Sequence, residues 1–197
     1  MRFFNRLAII LTVLLAFGSA SGAAASEATA QLSATINEFV RILVNTPVAE
    51  LRQSGLPDRA LKLIQSRFDF SEMAKRSLGP HWTALNANER REFVDAYTQM
   101  LLRFFGRSVR EAGDETIEYQ REVRDGILAS VETKVVSGSR DDFAIDYRLH
   151  DIDGQWKVYD MVIDHISVVN NYRAQFERVI AKSSIKELLQ RMKQLAS

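Results

Sequence analysis

The sequence predicts an α+β domain in which helices pack on one face of a curved four-stranded antiparallel sheet. Apolar residues recur at helical spacing from Ser33 to about Ala112, at a spacing of two from Thr116 to Ile166, and at helical spacing again from Val169. Tight-turn signals divide the middle stretch into strands. At 197 residues, 46% hydrophobic and 26% charged, the composition suits one globular unit with a sizeable core.

The first 25 residues read differently. Arg2 and Arg6 form a basic head, and Leu7 to Phe17 is an apolar run broken only by Thr12, too short to span a bilayer as a helix. Ala23 and Ala25 fit the small-x-small pattern of a secretory cleavage site, so residues 1–25 are expected to be a signal peptide and residues 26–197 a single mature, exported domain. Cleavage removes two arginines and no acid, which takes the net charge from +1 to −1. A near-neutral domain has no electrostatic case for nucleic acid.

Ile36, Phe39, Val40, Leu43 and Val44 make one helical face that Pro47 stops. Pro57-Asp58 opens a second helix with Leu61, Leu63, Ile64 and Phe68 on its apolar side. Asp69 followed by Glu72 caps a third, Phe70 to Leu78, which Gly79-Pro80 ends. Asn86 with Glu89 opens the longest helix, where Phe93, Tyr97, Met100 and Phe104 form a stripe that Val94, Leu101, Phe105 and Val109 widen, until Gly113-Asp114 closes it. Ile117, Tyr119 and Val123 alternate in the first strand, and Asp125-Gly126 turns into Ile127, Ala129, Val131, Thr133 and Val135. After Ser137-Gly138-Ser139, Phe143, Ile145, Tyr147 and Leu149 share a face. Asp153-Gly154 turns into a strand apolar on both sides, with Trp156, Val158 and Val162 against Tyr159, Met161 and Ile163. Tyr172, Phe176, Val179 and Ile180 mark the next helix, and Ser184 with Glu187 caps the last, whose buried side is Ile185, Leu188, Leu189 and Met192.

Little here is suited to catalysis. Cysteine is absent, which removes disulfides, a thiolate nucleophile and Cys-based zinc sites. His81, His150 and His165 lie in unrelated settings with no metal-ligand spacing, and neither Gly-x-Ser-x-Gly nor a phosphate loop is present. Asp160 and Asp164, four apart on one strand, are expected on the same side. Asp160 reads as a buried acid paired with a cation such as Arg173 or capping backbone amides; the competing reading is a general base of a small isomerase. Eleven phenylalanines, five tyrosines and five methionines suit either a dense core or a deep apolar cavity. The element order resembles cone-shaped cystatin-like or nuclear-transport-factor-like folds, which hold a pocket between sheet and helices.

Six strings carry a more specific resemblance. Phe68 to Gly79 (FDFSEMAKRSLG), His81-Trp82 and Glu89 to Val94 (ERREFV) look like the helical half of the MlaC family, the toluene-tolerance auxiliary proteins of lipid ABC transporters. Trp156 to Ile163, Ile166 to Val169 and Asn171 to Phe176 look like its C-terminal signature, with His165 standing where glycine is frequent. The resemblance implies a monomeric periplasmic carrier without cofactor or metal that encloses phospholipid tails and leaves the headgroup near solvent. It would pass lipid between an outer-membrane lipoprotein–porin partner and an inner-membrane ABC transporter complex with its substrate-binding subunit, and so maintain outer-membrane lipid asymmetry.

Carried over from the matching strings, the lining would include Phe70, Met73, Leu78, Trp82, Phe93, Met161, Ile163, Ile166, Val168, Tyr172 and Phe176. Periodicity adds Tyr97, Met100, Leu101, Phe104, Val131, Val135, Ile145, Tyr147 and Leu149. A hopanoid-type cargo, a cone-fold isomerase and a lipid-free adaptor are the other readings.

Overall fold

The computed structural model describes residues 26–47, 49–51, 56–110, 115–138 and 141–196, with side chains 104–110 and Ala196 left aside. The expected signal segment, the Gly113-Asp114 helix stop and Ser139 lie outside these residues. Six α-helices are described: α1 (Glu27–Val44), α2 (Asp58–Arg67), α3 (Phe70–Leu78), α4 (Ala87–Arg110), α5 (Val168–Lys182) and α6 (Ile185–Ala196). A 3₁₀ turn (Gly79–Ala84) joins α3 to α4. The strands β1 (Thr116–Asp125), β2 (Leu128–Val136), β3 (Phe143–Ile152), β4 (Gln155–Ile163) and β5 (Ile166–Ser167) form an antiparallel meander in the order β1-β2-β3-β4-β5. The sheet thus has five strands where the periodicity predicts four, because two residues, Ile166 and Ser167, are too few to show a period.

The helix termini follow their local signals. Asn86 accepts from the amides of Asn88 (2.9 Å) and Glu89 (3.1 Å), and the Glu89 carboxylate accepts from the Asn86 amide (2.8 Å), completing the reciprocal cap of α4. At α3 only half of this forms. Asp69 accepts from the Glu72 amide (2.9 Å), but its own amide donates to the Val158 carbonyl (2.8 Å), because Phe68 bridges to Val158 along the free edge of β4. Ser184 caps α6 through the Glu187 amide at 3.2 Å.

α1 starts at Glu27, earlier than the predicted Ser33, for a tertiary reason. The Thr29 amide and hydroxyl both donate to Glu122 of β1, at 2.8 and 2.6 Å, satisfying a first-turn amide that has no partner within the helix. A second fastening lies further along α1. Gln31 Oε1 accepts from Arg67 (2.8 Å) and from the Trp156 amide (3.0 Å), its Nε2 donates to the Gly154 carbonyl (2.9 Å), and Arg67 also reaches Thr35 (3.0 Å) and the Trp156 carbonyl. Polar bonds therefore hold α1 to β1, α2 and the β3–β4 hairpin.

Two bulges overturn the simple alternation predicted for β1 and β4. In β1 the register steps past Gln120, so Tyr119 faces Thr133 while Glu122, not Val123, faces the buried Val131. Val123 is left exposed. In β4 the register steps past Tyr159: Leu149 pairs with Val158 and Tyr147 with Met161. Trp156, Val158, Met161 and Ile163 consequently share one face, and Asp160 and Val162 take the other. The predicted grouping of Trp156 and Val158 with Val162 is corrected by that single extra residue. Asp164 is no longer on Asp160's side either, since it sits with His165 in the two-residue turn between β4 and β5.

That turn has φ of +45° at Asp164 and +69° at His165, the positive pair a type I′ turn demands. A side chain in this region costs roughly 1–2 kcal/mol, offset in part by the flexibility glycine adds to the unfolded chain. His165→Gly is therefore expected to stabilise the fold by about 0.5–1 kcal/mol, raising Tm by about 2 °C in a thermal melt. A lower Tm would mean that the imidazole contributes more than its backbone strain costs.

Glu122 supplies a pH test. Burial raises its carboxyl, but hydrogen bonds from Ser26 and Thr29 outweigh burial and hold it below its usual 4.5. A carboxyl lowered by folding contributes stability that is complete above the unfolded value and is lost as pH falls through the folded one. Glu122→Gln should cost about 1–3 kcal/mol at pH 7 in urea unfolding, and the difference from wild type should shrink as pH drops below about 4.5. A pH-independent difference would exclude the charge as its source.

Candidate functional site

The bulge in β4 aligns a continuous apolar wall. Tyr147 lies between Val131 and Met161, Ile145 between Thr133 and Ile163, and Leu149 between Ala129 and Val158. With Val135, Phe143 and Trp156 these residues are buried, and no charged side chain is among them. α1 lies across β1, β2 and β4 and adds Leu32, Ile36, Phe39, Val40 and Leu43 to the same cluster. α3 contributes Phe70, Met73 and Leu78, α4 contributes Phe93, Tyr97, Met100 and Leu101, and α5 contributes Val168 and Phe176.

The predicted lining residues thus meet in one interior, with four particulars. Trp82 and Tyr172 are half-buried at its margin. Ile166, paired with Ile163 at the end of the sheet, is 42% exposed. The side chain of Phe104 lies outside the described residues.

Aromatic packing organises the α4–α5 side. Tyr97 meets Tyr172 and Phe176 edge-on at 5.8 and 6.2 Å, and Phe93 meets Phe176 edge-on at 5.8 Å. The Tyr97 hydroxyl bonds Ser77 at 2.9 Å. Burial pushes the Tyr97, Tyr119 and Tyr147 phenols far up and that of Tyr172 up to about 12, so all four stay neutral at physiological pH. The wall formed by these residues is apolar, with its tyrosines neutral. Such a surface is suited to apolar groups.

The opposite face of β4 is polar. Asp160 is buried, and its Oδ2 accepts from Ser167 Oγ (2.7 Å) and from Arg148 (3.1 Å), while Oδ1 accepts from the Val169 amide at the start of α5 (3.1 Å). The cation paired with it is Arg148, the register neighbour on β3, not the expected Arg173. The capping half of the expectation holds. With both oxygens committed, Asp160 is held as a structural carboxylate.

Beside it opens a cleft of about 350 Å³ lined by Lys75, Arg76, Gly79, Trp82, Thr83, Arg148, Tyr159, Asp160, Val169, Asn170 and Arg173. The Arg76 guanidinium stacks 4.4 Å from the Tyr159 ring centre, whose edge meets His150, itself 3.1 Å from Asp69. A second groove of about 670 Å³ runs between the 3₁₀ turn, the start of α4 and α6, with Leu85, Phe93, Ile185 and Leu189 on its walls and Glu92 bonded to Lys193 across it. Among the described residues no group of three His, Cys, Asp or Glu side chains could hold a metal ion. No helix among them is long and apolar enough to cross a membrane.

Sequence reasoning missed the α1 residues of the interior, whose helical face carried the signal, and Trp156 and Val158, which the bulge moved. It also missed the cationic cleft, whose members come from five separate elements and share no periodicity.

Comparison with known proteins adds three findings. The family model described as MlaC protein matches residues 33–194. The toluene tolerance protein ttg2D of Pseudomonas putida is 28% identical over 85 residues, a stretch covering 43% of this chain and 40% of that relative's length. A phospholipid-binding protein of Ralstonia solanacearum, solved in complex with a phospholipid, superposes with a TM-score of 0.74 at 21% identity, over 86% of this chain and 96% of that one. At that identity the likeness establishes the fold.

Replacing Asp160 by Asn removes a buried charge while Ser167, Val169 and Arg148 still aim donors at it. The loss is expected to be about 3 kcal/mol in urea unfolding, the low end for breaking a buried pair because Arg148 is 44% exposed and can rehydrate. Unchanged unfolding would show that these bonds add nothing to the fold.

Proposed function

The chain belongs to the MlaC family, and from that membership we propose that residues 26–197 are a periplasmic carrier of phospholipid. Cleavage after Ala25 would release the domain from its signal peptide. The carrier would move lipid between an outer-membrane lipoprotein–porin complex and an inner-membrane ABC transporter complex with its substrate-binding subunit, helping to keep the outer membrane asymmetric. What supports the reading is a fold shared with a protein solved holding a phospholipid, wrapped in this chain around a largely apolar interior.

The physical requirement is simple. Each buried CH₂ is worth about 0.8 kcal/mol, so two long acyl chains are nearly insoluble alone and a carrier must offer them an apolar surface of matching extent. Strands β2 to β4 and helices α1, α3, α4 and α5 supply such a surface, with the neutral tyrosines tolerating ester groups at its rim.

Purified protein is expected to carry co-extracted phospholipid at about one per chain, read by native mass spectrometry and organic extraction. Recovery of a hopanoid would redirect the cargo; protein free of lipid from a lipid-rich host would favour the adaptor.

Met100 and Leu101 decide how the interior is used. Where such a residue faces bound lipid, Trp in its place displaces an acyl chain and leaves the fold intact. Where it sits in close-packed core, the same change overpacks it and costs about 1–3 kcal/mol. The carrier reading expects lost lipid at retained Tm for at least one of Met100→Trp and Leu101→Trp. Lost Tm at unchanged lipid content in both would remove this stripe from the lining.

A further inference from the structure

We propose that the cleft bounded by α3, the 3₁₀ turn, β4 and the start of α5 is an anion site that takes a phosphate group. Four cations line it: Lys75, Arg76, Arg148 and Arg173. Two acids answer them. Glu72 pairs with Lys75 (3.2 Å) and Arg76 (2.8 Å), and Asp160 pairs with Arg148 (3.1 Å) while its remaining acceptor capacity goes to Ser167 and Val169. The cleft therefore keeps a positive excess, centred on Arg173, for which no hydrogen bond or ion pair is found among the described residues.

Arg173 nevertheless packs closely against the 3₁₀ turn. Its Nε lies 2.9 Å from the position a Cβ would take on Gly79, a distance real Cβ atoms do not show, so the bare glycine backbone is what lets the guanidinium lie against the 3₁₀ turn. Gly79 also has φ of +60°, which an L side chain adopts only with strain. A planar fork of N–H donors is thus presented to the cleft with no protein acceptor. At about 350 Å³ between Trp82 and Tyr159, the space admits a phosphate with a short ester arm, and its cationic lining disfavours an acyl chain.

The phosphate could be free inorganic phosphate or the phosphodiester of a lipid headgroup; the second source rests on the carrier reading, and the site itself does not. The full chain, extracted of lipid and ¹⁵N-labelled, is titrated at constant ionic strength with inorganic phosphate and with glycerophosphoglycerol. The Trp82 indole N–H is the reporter, and that of Trp156, fully buried and not part of the cleft, is the internal reference. A saturable shift of Trp82 is expected, weakened about tenfold in Arg173→Gln and less in Arg173→Lys, with Tm unchanged because Arg173 is exposed. Tighter binding of the diester assigns the site to a headgroup, and equal or weaker binding assigns it to free phosphate. No saturable shift with either probe, or wild-type binding by Arg173→Gln, overturns the proposal. Neither probe has an acyl chain, so failure here leaves the lipid-extraction result standing, and failure there leaves this one standing.

Discussion

The structure depends on one buried carboxylate. Asp160 of β4 ties side-chain and helix-start groups of three further elements to one point: β3 through Arg148, β5 through Ser167, and α5 through the Val169 amide. A charge at this depth is tolerated only when donors replace its hydration, and here three do. The same bonds fix where α5 starts, because Ser167, bonded to Asp160, also caps the helix through the Asn170 amide at 3.0 Å. The position of α5 then sets that of Tyr172 and Phe176 against Tyr97 and Phe93, which closes the helical side of the interior.

Asp160 occupies that place only because β4 carries an extra residue. Without the bulge at Tyr159, the strict alternation that puts Met161 and Ile163 on the apolar wall would put Tyr159 and Trp156 on opposite faces and send one half of the strand to the wrong side. The bulge lets a single strand serve two chemistries. One face offers an uncharged surface fit for hydrocarbon, and the other offers fixed charges and a stacked arginine. A molecule with an apolar body and an ionic end needs both kinds of surface within one small domain.

The sequence made most of this legible where the signal was local. The Asn86–Glu89 and Ser184–Glu187 caps, the stop at Gly79, the Asp153-Gly154 turn and the Phe93-to-Leu101 part of the α4 stripe each depend on residues a few positions apart, and each was found where expected; the Asp125-Gly126 turn came one residue late, at Gly126 and Ile127, which leaves Ile127 exposed and not in the strand. Bulges were invisible for a definite reason: one inserted residue leaves composition and turn signals unchanged while reversing the parity of everything beyond it, as Val123 and Glu122 illustrate in β1. Long-range polar bonds escaped for another. Nothing near Gln31 announces that it will meet the Trp156 amide and Arg67, or near Asp160 that Arg148 and not Arg173 will be its partner. The arginine left over by that substitution of partners lines the cleft with no hydrogen-bond or ion-pair partner among the described residues.

The bulge at Gln120 has a further consequence at the other end of the sheet. Among the described residues β1 is an edge strand with no strand on its outer side, a row of backbone donors and acceptors on which a second copy could build. The extra residue breaks the spacing of that row partway along, and Glu118, Arg121, Arg124 and Asp125 stand exposed around the break. An incoming strand would find a kinked template and a mixture of charges to bury. In a chain without cysteine, and so without any disulfide to restrain it, the shape of the sheet's margin as well as its charges works against edge-to-edge pairing of two copies.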